Sequence, residues 1–502
     1  MLRFFKTYYL PLLSALLLSV SRLPLYLSWL VFFAFIPLLF YFRQRKHSIP
    51  ENAISALIFS LVQIVLVFYW IGSVTIGGLF GIWLLYALYY LLCFMIVERV
   101  WDRLPWLNYL IFISVFISFE YLQNFGEMRF PWWNIGYSLA DFLPLIQALE
   151  LGGMTLLALL ILSFNFLFYL VAQRKFWSLF ALSMIFLLWF GYGNFRLLTL
   201  PVVMQPDRIG VMQPSIVQDD KWDEQKYQEI MQTYDALTAD AALKGWSMLI
   251  YPEAAVPDYL MLNPGVMHDF RSIQDKHGIS IFTGFPHAER APESYPEPYY
   301  SYNAAALFDA RGNTPSLYFK NILVPVGERM LWLEYFPFLW KLQFGQANWE
   351  FGTMIPRYTV SGKQFSPSIC YELAFPHFMQ KANFRSEDGA RRKADYHVNI
   401  TNDAWFGTSY GPWLHAVMTK FRAIESRTQI YRSANTGISM IVNPKGEVIA
   451  EAGLFQRTNI SAPLYTSPTI PLYQKIYHYP WIFVALAAIL LFTSFIFPRR
   501  AS

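Results

Sequence analysis

The chain has 502 residues, of which 55% are hydrophobic, 19% aromatic and only 15% charged. This composition excludes an ordinary soluble globular protein and indicates a protein embedded in a membrane. The net charge of +5 is small and the basic residues stand at the ends of apolar runs, so no binding to nucleic acid is expected. Of the 73 charged residues, 53 lie within residues 195–480, which makes this segment the soluble part.

Eight apolar runs are long enough to cross a bilayer, whose hydrocarbon core of roughly 30 Å needs about 20 apolar residues in a helix. They span residues 8–22, 25–42, 53–74, 77–97, 106–125, 154–172, 177–193 and 481–497. The sequence therefore predicts eight transmembrane helices and three domains. These are a seven-helix transmembrane domain in residues 1–194, a soluble domain in 195–480, and the eighth transmembrane helix with a tail in 481–502.

The lysines and arginines that flank these runs predict the orientation of the chain. If both termini lie in the cytoplasm, eleven basic residues fall on that side and only Arg22 and Arg129 fall in short outer loops. The eleven are Arg3, Lys6, Arg43, Arg45, Lys46, Arg99, Arg103, Arg174, Lys175, Arg499 and Arg500. Cytoplasmic loops carry such an excess of positive charge. We therefore expect a bacterial inner-membrane protein with residues 195–480 in the periplasm.

Glu120 is the one acidic residue well inside a predicted span, within about two turns of its outer end. A carboxylate at that depth either lines a cavity or reaches interfacial water, and the depth favours interfacial water.

The two cysteines stand in different kinds of sequence. Cys93 lies in an apolar run and Cys370 lies in the polar segment, so we expect no disulfide between them. Clusters of Cys or His with metal-ligand spacing are absent from the sequence. No metal and no cofactor are therefore expected.

The soluble segment alternates short β-branched and apolar runs with runs of helical periodicity. Helices are predicted at Asp223–Leu243, Pro264–His277 and Pro412–Arg427, where apolar residues recur about every 3.6 residues. The predicted strands are Arg208–Met212, Met248–Tyr251, Ile279–Gly284, Asn303–Asp309, Ser366–Ile369, Tyr396–Ile400, Ile430–Ser433 and Ser439–Val442. The pattern predicts an α/β domain whose strands are covered by helices.

Three reactive residues follow apolar strand-like runs, where the active sites of α/β folds are usually built. They are Glu253, Lys320 and Cys370. Taken singly, each has an ordinary structural explanation: a carboxylate at a helix start, a surface amine and a small buried thiol. Taken together, a thiol, a carboxylate that accepts its proton and an ammonium that stabilises an oxyanion form a unit for nucleophilic catalysis.

These residues carry a resemblance to a known family. Tyr251-Pro-Glu253, the lysine motif from Lys320 to Glu328 and Ile369-Cys-Tyr-Glu372 resemble the Glu, Lys and Cys motifs of the nitrilase, or carbon–nitrogen hydrolase, superfamily. The predicted spans, together with Asn402-Asp-Ala-Trp-Phe-Gly407 and Arg422-Ala-Ile-Glu425, resemble the apolipoprotein N-acyltransferase family along essentially the whole chain.

The resemblance implies an αββα sandwich and a two-step acyl transfer without a cofactor. A phospholipid would donate the acyl chain, and the α-amino group of a diacylglyceryl-cysteine apolipoprotein would accept it. Glu253 would be the general base, Cys370 the nucleophile that forms a thioester, and Lys320 the stabiliser of the tetrahedral intermediate. Glu328 and Glu372 match further acidic positions of the motifs, with supporting roles expected.

Two aromatic residues, Trp222 and Tyr371, match family positions near the substrate, although aromatic packing explains both rings equally well. The sequence departs from the family pattern at Val326 and Leu414, where Phe and Gln are common, and it lacks a Gly-Asp pair often seen near the final span. These departures concern the pocket wall and supporting hydrogen bonds, and none removes a catalytic atom.

The segment Met330–Trp340 is too apolar for an ordinary exposed loop. It either dips into the membrane interface as a lid over the acyl chain or lies buried in the sandwich, and we favour the lid. Two other functions remain open. One is a membrane-tethered amidase or nitrilase that uses the same three residues and hydrolyses a C–N bond. The other is a transporter or receptor whose soluble domain only binds.

Overall fold

A computed structural model describes residues 2–496, except for residues 257, 311, 313–314, 343–346 and 388–389. The chain divides into two compact units. One contains Met1–Thr199 and Leu472–Ser502, and the other contains Leu200–Pro471. The first is built of helices, and the second holds every strand that the described residues form.

Four helices of the first unit are long and apolar enough to cross a membrane, and three further apolar helices are shorter. The four are Ile49–Phe68, Ile76–Trp101, Leu149–Ala172 and Trp177–Thr199, and the shorter ones are Ser28–Gln44, Asn108–Leu122 and Trp481–Ile496. The α-helices of this unit are Leu2–Ser21, Ile36–Gln44, Ile49–Gln63, Ile71–Val74, Ile76–Arg103, Asn108–Leu122, Leu143–Ile146, Leu149–Ala172, Trp177–Thr199, Tyr473–Ile476 and Trp481–Ile496.

Two of the predicted apolar runs are not single α-helices. The run at 25–42 consists of a 3₁₀ helix, Ser28–Phe32, followed by an α-helix that begins at Ile36 with Pro37 in its first turn. Proline has no backbone N–H, and it is tolerated where a helix starts. The run at 53–74 passes through a π-helical turn at Ile64–Phe68. Arg499 and Arg500 of the predicted tail lie outside the described residues.

Glu120 does not reach interfacial water, so that expectation is wrong. The side chain is buried, and its Oε1 accepts a hydrogen bond of 2.8 Å from the backbone N–H of Ile135. Ile135 begins a 3₁₀ turn, Ile135–Leu139, in the loop after the helix that carries Glu120. This loop supplies a backbone donor to the carboxylate.

The α/β unit contains two six-stranded sheets and a two-stranded one. The strands are β1 Val203–Gln213, β2 Met248–Ile250, β3 Ser280–Arg290, β4 Tyr299–Phe308, β5 Leu317–Phe319, β6 Tyr358–Val360, β7 Lys363–Ile369, β8 Phe384–Glu387, β9 Ala390–Lys393, β10 Tyr396–Thr401, β11 Gln429–Ala434, β12 Ser439–Val442, β13 Val448–Ala452 and β14 Thr458–Thr466. The strand orders are β14-β1-β2-β3-β4-β5 and β13-β12-β11-β10-β7-β6, and β8 pairs with β9.

The two large sheets pack face to face between pairs of helices. Ser433 of β11 donates to the carbonyls of Met212 and Ile250, in β1 and β2, at 2.8 and 3.2 Å. The helices Tyr227–Leu243 and Pro264–His277 share an apolar core with the first sheet. The helices Pro376–Asn383 and Gly411–Ser426 pack on the second. The layers follow the order helix, sheet, sheet, helix, as the resemblance implied.

Most strand predictions lie within observed strands, and the helix Pro264–His277 has the predicted bounds. The helix predicted from Asp223 begins instead at Tyr227. Asp223 accepts a hydrogen bond of 2.9 Å from the backbone N–H of Gln225. It thereby caps a separate 3₁₀ turn, Glu224–Lys226. An aspartate that caps a turn in this way competes with helix continuation.

Candidate active site

The candidate catalytic residues follow strands of both large sheets. Glu253 follows β2, which is parallel to β1 and β3. Cys370 follows β7, and Asn402 follows β10, which runs parallel to β7. Lys320 follows β5 at the edge of the first sheet. The carboxyl ends of parallel strands gather side chains from distant parts of the sequence at one edge of a sheet.

Lys320 is fully buried between two carboxylates. Its Nζ lies 2.8 Å from Oε1 of Glu328 and 3.4 Å from Oε1 of Glu253. Asn303, in β4, donates through Nδ2 to the same two oxygens, at 3.3 Å for Glu328 and 2.6 Å for Glu253. One ammonium and one amide therefore hold Glu253 and Glu328 together.

The charges around Lys320 keep it protonated. Burial by itself lowers the pKa of Lys320, but the negative charges of Glu253 and Glu328 more than offset that effect. The pKa of Lys320 consequently lies well above its usual value. A fixed buried ammonium of this kind stabilises negative charge that develops on a reacting oxygen.

Cys370 stands in a strained position at the end of β7. It is partly buried, its φ is 50°, and it begins the 3₁₀ turn Cys370–Ala374. A left-handed conformation is uncommon for a residue other than glycine and persists where surrounding structure imposes it. Burial and the charge of Glu253 raise the pKa of the Cys370 thiol, and Lys320 only partly opposes them. The resting thiol is therefore neutral and needs a base to become a nucleophile.

Glu253 is held by the backbone as well as by Lys320. Its Oε2 accepts a hydrogen bond of 2.8 Å from the backbone N–H of Asn402, and its own carbonyl accepts one of 3.1 Å from Nζ of Lys221. Lys221 is buried, which lowers its pKa to about 8 although the charge of Glu253 opposes the shift. A carboxylate fixed in this way is oriented to take up a proton.

Glu372 is completely buried and lies among donors from the end of β7 and from β5 and the loop after it. Its Oε1 accepts from the backbone N–H groups of Asn321 and Ile322 at 2.6 and 3.1 Å. Its Oε2 accepts from the backbone N–H of Ile369 at 2.7 Å and from the hydroxyl of Tyr318 at 2.5 Å. Burial raises the pKa of Glu372 to about 7, against the opposing effect of these hydrogen bonds. The carboxylate of Glu372 therefore joins the residues just after Lys320 to the residue just before Cys370.

The two aromatic candidates differ in exposure. Trp222 is 52% exposed and ends the turn Asp220–Trp222, next to Lys221, which binds the carbonyl of Glu253. Tyr371 is buried, and its ring meets Phe375 edge to face with centroids 5.0 Å apart. A role in substrate binding stays a prediction for both.

One cluster in the described part of the chain has the residue types of a metal site. Ligand atoms of Cys370, Asp403 and His415 all lie within 4.8 Å of one another. However, Arg432 donates to Asp403 at 2.6 Å and contacts Nδ1 of His415 at 3.1 Å, and Nε2 of His415 is 3.1 Å from the Cys370 carbonyl oxygen. The ligand positions are occupied by hydrogen bonds and by a cation, so the cluster fits a polar network better than a metal ion.

The sequence pattern does not single out several of these neighbours. It predicts Asn303 only as the start of a strand, although a polar residue directly before the apolar run Ala304–Phe308 is a signal for a buried polar role. Asn402 and Asp403 belong to a motif that predicts no individual role for them. Their partners depend on the packing of distant strands, which a motif does not reveal.

Each of the two units matches a known protein family. The carbon–nitrogen hydrolase family matches residues 208–467, and the apolipoprotein N-acyltransferase N-terminal domain matches residues 14–167. An apolipoprotein N-acyltransferase of Geobacter metallireducens is 29% identical over 99% of this chain and 96% of its own length. One of Bradyrhizobium diazoefficiens is 31% identical over 74% of this chain and 70% of its own. A solved amidase from Nesterenkonia sp. is 19% identical, with 56% of this chain and 98% of the amidase covered and a TM-score of 0.39.

The two facing sheets, with Glu253, Lys320 and Cys370 after their strands, have the architecture of a carbon–nitrogen hydrolase, whose family sequence match covers this unit. The match to the second family begins in the helical unit, and the curated relatives extend it across most of the chain. The chain belongs to the apolipoprotein N-acyltransferase family.

Proposed function

We propose that this chain transfers a fatty acyl chain from a phospholipid to the α-amino group of an N-terminal diacylglyceryl-cysteine, and that Cys370 carries the acyl group between the two substrates. The main support is the position of Lys320, whose Nζ lies between Glu253 and Glu328. The proposed base, Glu253, thus lies beside the fixed positive charge of Lys320, in the same unit as the Cys370 thiol. Membership of the family supports the choice of substrates.

In the first step Glu253 accepts the proton of the Cys370 thiol as the sulfur attacks the ester carbonyl of the phospholipid. The tetrahedral oxyanion forms near Lys320, which stabilises it. The carbon–oxygen bond then breaks, and the leaving alcohol of the lysophospholipid takes the proton from Glu253. A thioester on Cys370 remains.

In the second step the α-amine of the acceptor attacks the thioester carbonyl. Glu253 takes a proton from the amine, the carbon–sulfur bond breaks, and the proton returns to the Cys370 thiolate. The products are an amide and the free enzyme. Glu328 holds Lys320 in place through its hydrogen bond of 2.8 Å, and we assign substrate contacts to Trp222 and Tyr371.

The membrane frame is also part of the proposal. Eight spans would place both termini in the cytoplasm of a bacterium and residues 195–480 in the periplasm, with the eighth helix and tail in 481–502. The apolar helices of the first unit support this frame. An enzyme that takes acyl chains from phospholipids needs its nucleophile near the bilayer surface, and a multi-helix anchor provides that placement.

The segment Met330–Trp340 supports access to lipid. Met330 and Leu333 are buried, but Trp332, Tyr335, Phe336 and Phe338 are exposed. Burial of the whole segment in the sandwich is therefore wrong. Aromatic rings in this number are unusual on a surface that meets only water, and they are favoured at membrane interfaces. We propose that this segment covers the acyl chain at the bilayer surface.

The test uses the purified full-length protein with a phospholipid labelled in its acyl chain. We expect a hydroxylamine-sensitive label on the protein, which moves to the amine of a diacylglyceryl-cysteine peptide when the peptide is added. Cys370→Ser should abolish the label, whereas the matched Cys93→Ser should retain it, because a sulfur-to-oxygen change barely alters packing.

Two outcomes would contradict the proposal. Release of the label only as free fatty acid, with the acceptor peptide present, would support the membrane-tethered hydrolase instead. Wild-type labelling of Cys370→Ser would remove Cys370 from the mechanism.

A further inference from the structure

The carbonyl of Cys370 is held by a residue outside the proposed triad. Cys370 has a φ of 50°, a conformation that its neighbours must impose. Nε2 of His415 lies 3.1 Å from the carbonyl oxygen of Cys370. His415 belongs to the helix Gly411–Ser426 and is fully buried. The backbone of the nucleophile is thus fixed by a side chain from another element.

The position of the ring hydrogen of His415 depends on the neighbours of its other nitrogen, Nδ1. Nδ1 lies 2.9 Å from Oδ1 of Asp403 and 3.1 Å from Nη2 of Arg432. Burial and the charge of Arg432 lower the pKa of His415, against the opposing charge of Asp403. Oδ1 of Asp403 can only accept, so a hydrogen on Nδ1 would be donated to it. With its hydrogen on Nε2, the neutral ring accepts at Nδ1 from Arg432 and donates to the Cys370 carbonyl.

Asp403 is fixed on several sides. It accepts from Thr401 at 3.0 Å and from Arg432 at 2.6 Å, and a Cβ at Gly437 would collide with its carboxylate. The preceding residue, Asn402, donates its backbone N–H to Glu253 at 2.8 Å. Two adjacent residues therefore connect to both the proposed base and the proposed nucleophile.

We propose that His415 is a positioning residue for the nucleophile: Asp403 and Arg432 hold its ring so that Nε2 donates to the carbonyl of Cys370 and keeps Cys370 in its left-handed conformation. This inference rests on the proposed role of Cys370. His415 does not act as the base, because Nε2 is bound to the carbonyl and Nδ1 faces Asp403 and Arg432.

The experiment compares His415→Gln with His415→Asn in the full-length protein. The side-chain amide of glutamine reaches about as far as Nε2 of histidine, whereas that of asparagine reaches only about as far as Nδ1. The readout is the burst rate of acyl-enzyme formation from labelled phospholipid across pH. We expect a loss of about 10²-fold for Asn and of less than about 10-fold for Gln, since a small misplacement of a reacting group costs about 10²-fold.

The phospholipid concentration at half-saturation should not change in either variant, and the pH profile of His415→Gln should keep the wild-type shape. Equal rates for Gln and Asn, or a faster Asn variant, would overturn the inference. A displaced pH profile for Gln would overturn it as well, because His415 would then exchange the thiol proton.

Gly437→Ala keeps the test decisive if His415→Asn fails to fold. The added methyl group displaces Asp403 and leaves His415 unchanged, so we expect acylation about 10-fold slower, and a wild-type rate would overturn the inference. Failure of the proposed function has a separate signature, which is an acyl-enzyme that survives Cys370→Ser. The two failures are therefore distinguishable.

Discussion

Two buried glutamates of the α/β unit have opposite surroundings. Glu253 is bound mainly by side chains, with Lys320 at 3.4 Å and Asn303 at 2.6 Å on the same oxygen. Glu372 is bound by three backbone N–H groups and a tyrosine hydroxyl, and no ammonium lies among these donors. The first carboxylate belongs to a cluster of charges, and the second joins two segments of backbone.

This difference separates proton transfer from support. The carboxylate of Glu253 lies next to the ammonium of Lys320, and its charge acts on the Cys370 thiol. It can therefore exchange a proton while Lys320 balances the charge. A carboxylate whose two oxygens each accept two hydrogen bonds from the surrounding chain is anchored by them. We propose that Glu372 holds the loop of Lys320 against the turn of Cys370.

Replacement of Glu253 should have the largest effect on acylation. Glu253→Gln keeps the size of the side chain but cannot accept the thiol proton, so we expect acyl-enzyme formation at neutral pH to fall by about 10³-fold. The loss should shrink in alkaline buffer. Thiolate then forms without a base, and removal of the negative charge of Glu253 removes one cause of the raised pKa of Cys370. The measurement is the burst rate of acylation against pH.

Wild-type enzyme, measured over the same pH range, is the control for this experiment. A defect in Glu253→Gln that is constant from neutral to alkaline pH would show that Glu253 does not take the thiol proton, and the contrast with Glu372 would then lose its chemical meaning.

Lys320→Met should have the next largest effect. Methionine keeps most of the stem and removes the charge that meets the oxyanion, so the chemical step should slow by at least about 10²-fold with little change in lipid binding. The buried Glu253 and the partly buried Glu328 also lose their shared cation, which should lower stability by about 3–5 kcal/mol. Burst kinetics and thermal unfolding measure the two effects separately.

Lys320→Arg serves as the matched variant, because it keeps the charge but is wider and planar. We expect incomplete rescue, since the space between Glu253 and Glu328 is fitted to one ammonium. A wild-type rate for Lys320→Arg would show that only generic positive charge matters.

The sequence predicts the candidate site residues but not the contacts among them. Glu253, Lys320 and Cys370 are predicted because apolar runs end just before them, and such runs predict strand ends from local pattern alone. In the structure each of the three follows a strand. The hydrogen bonds of Glu372 could not be predicted. They come from backbone groups of Asn321, Ile322 and Ile369, whose positions depend on how two strands from different sheets pack.

The membrane part shows the same limit. Hydropathy identified the apolar runs, but it did not show that Glu120 accepts from the backbone of Ile135. That contact depends on the path of the loop that follows the helix Asn108–Leu122. Composition and periodicity describe which residues are buried, whereas the partner of a buried polar group is set by tertiary structure.

Glu372→Gln should have the smallest effect on chemistry and a clear effect on stability. The amide group of glutamine replaces one acceptor oxygen with a donor that faces other donors, which should cost about 1–3 kcal/mol. Acylation should slow by only about 10-fold, without alkaline rescue, since proton transfer by Glu253 is retained. Burst rates across pH and thermal unfolding of the full-length protein measure both effects.

The raised pKa of Glu372 predicts the direction in which stability changes with pH. Because the folded-state value of about 7 lies above the ordinary 4.5, the unfolded chain releases this proton at lower pH than the folded protein does. The contribution of Glu372 to wild-type stability should therefore fall as pH rises from about 4.5 to 7. Glutamine does not titrate, so the stability difference between wild type and Glu372→Gln should be larger at pH 5 than at pH 8. A stability difference that stays constant with pH would exclude the raised pKa of Glu372. In the acylation assay, a larger defect in Glu372→Gln than in Glu253→Gln, with alkaline rescue, would make Glu372 the base.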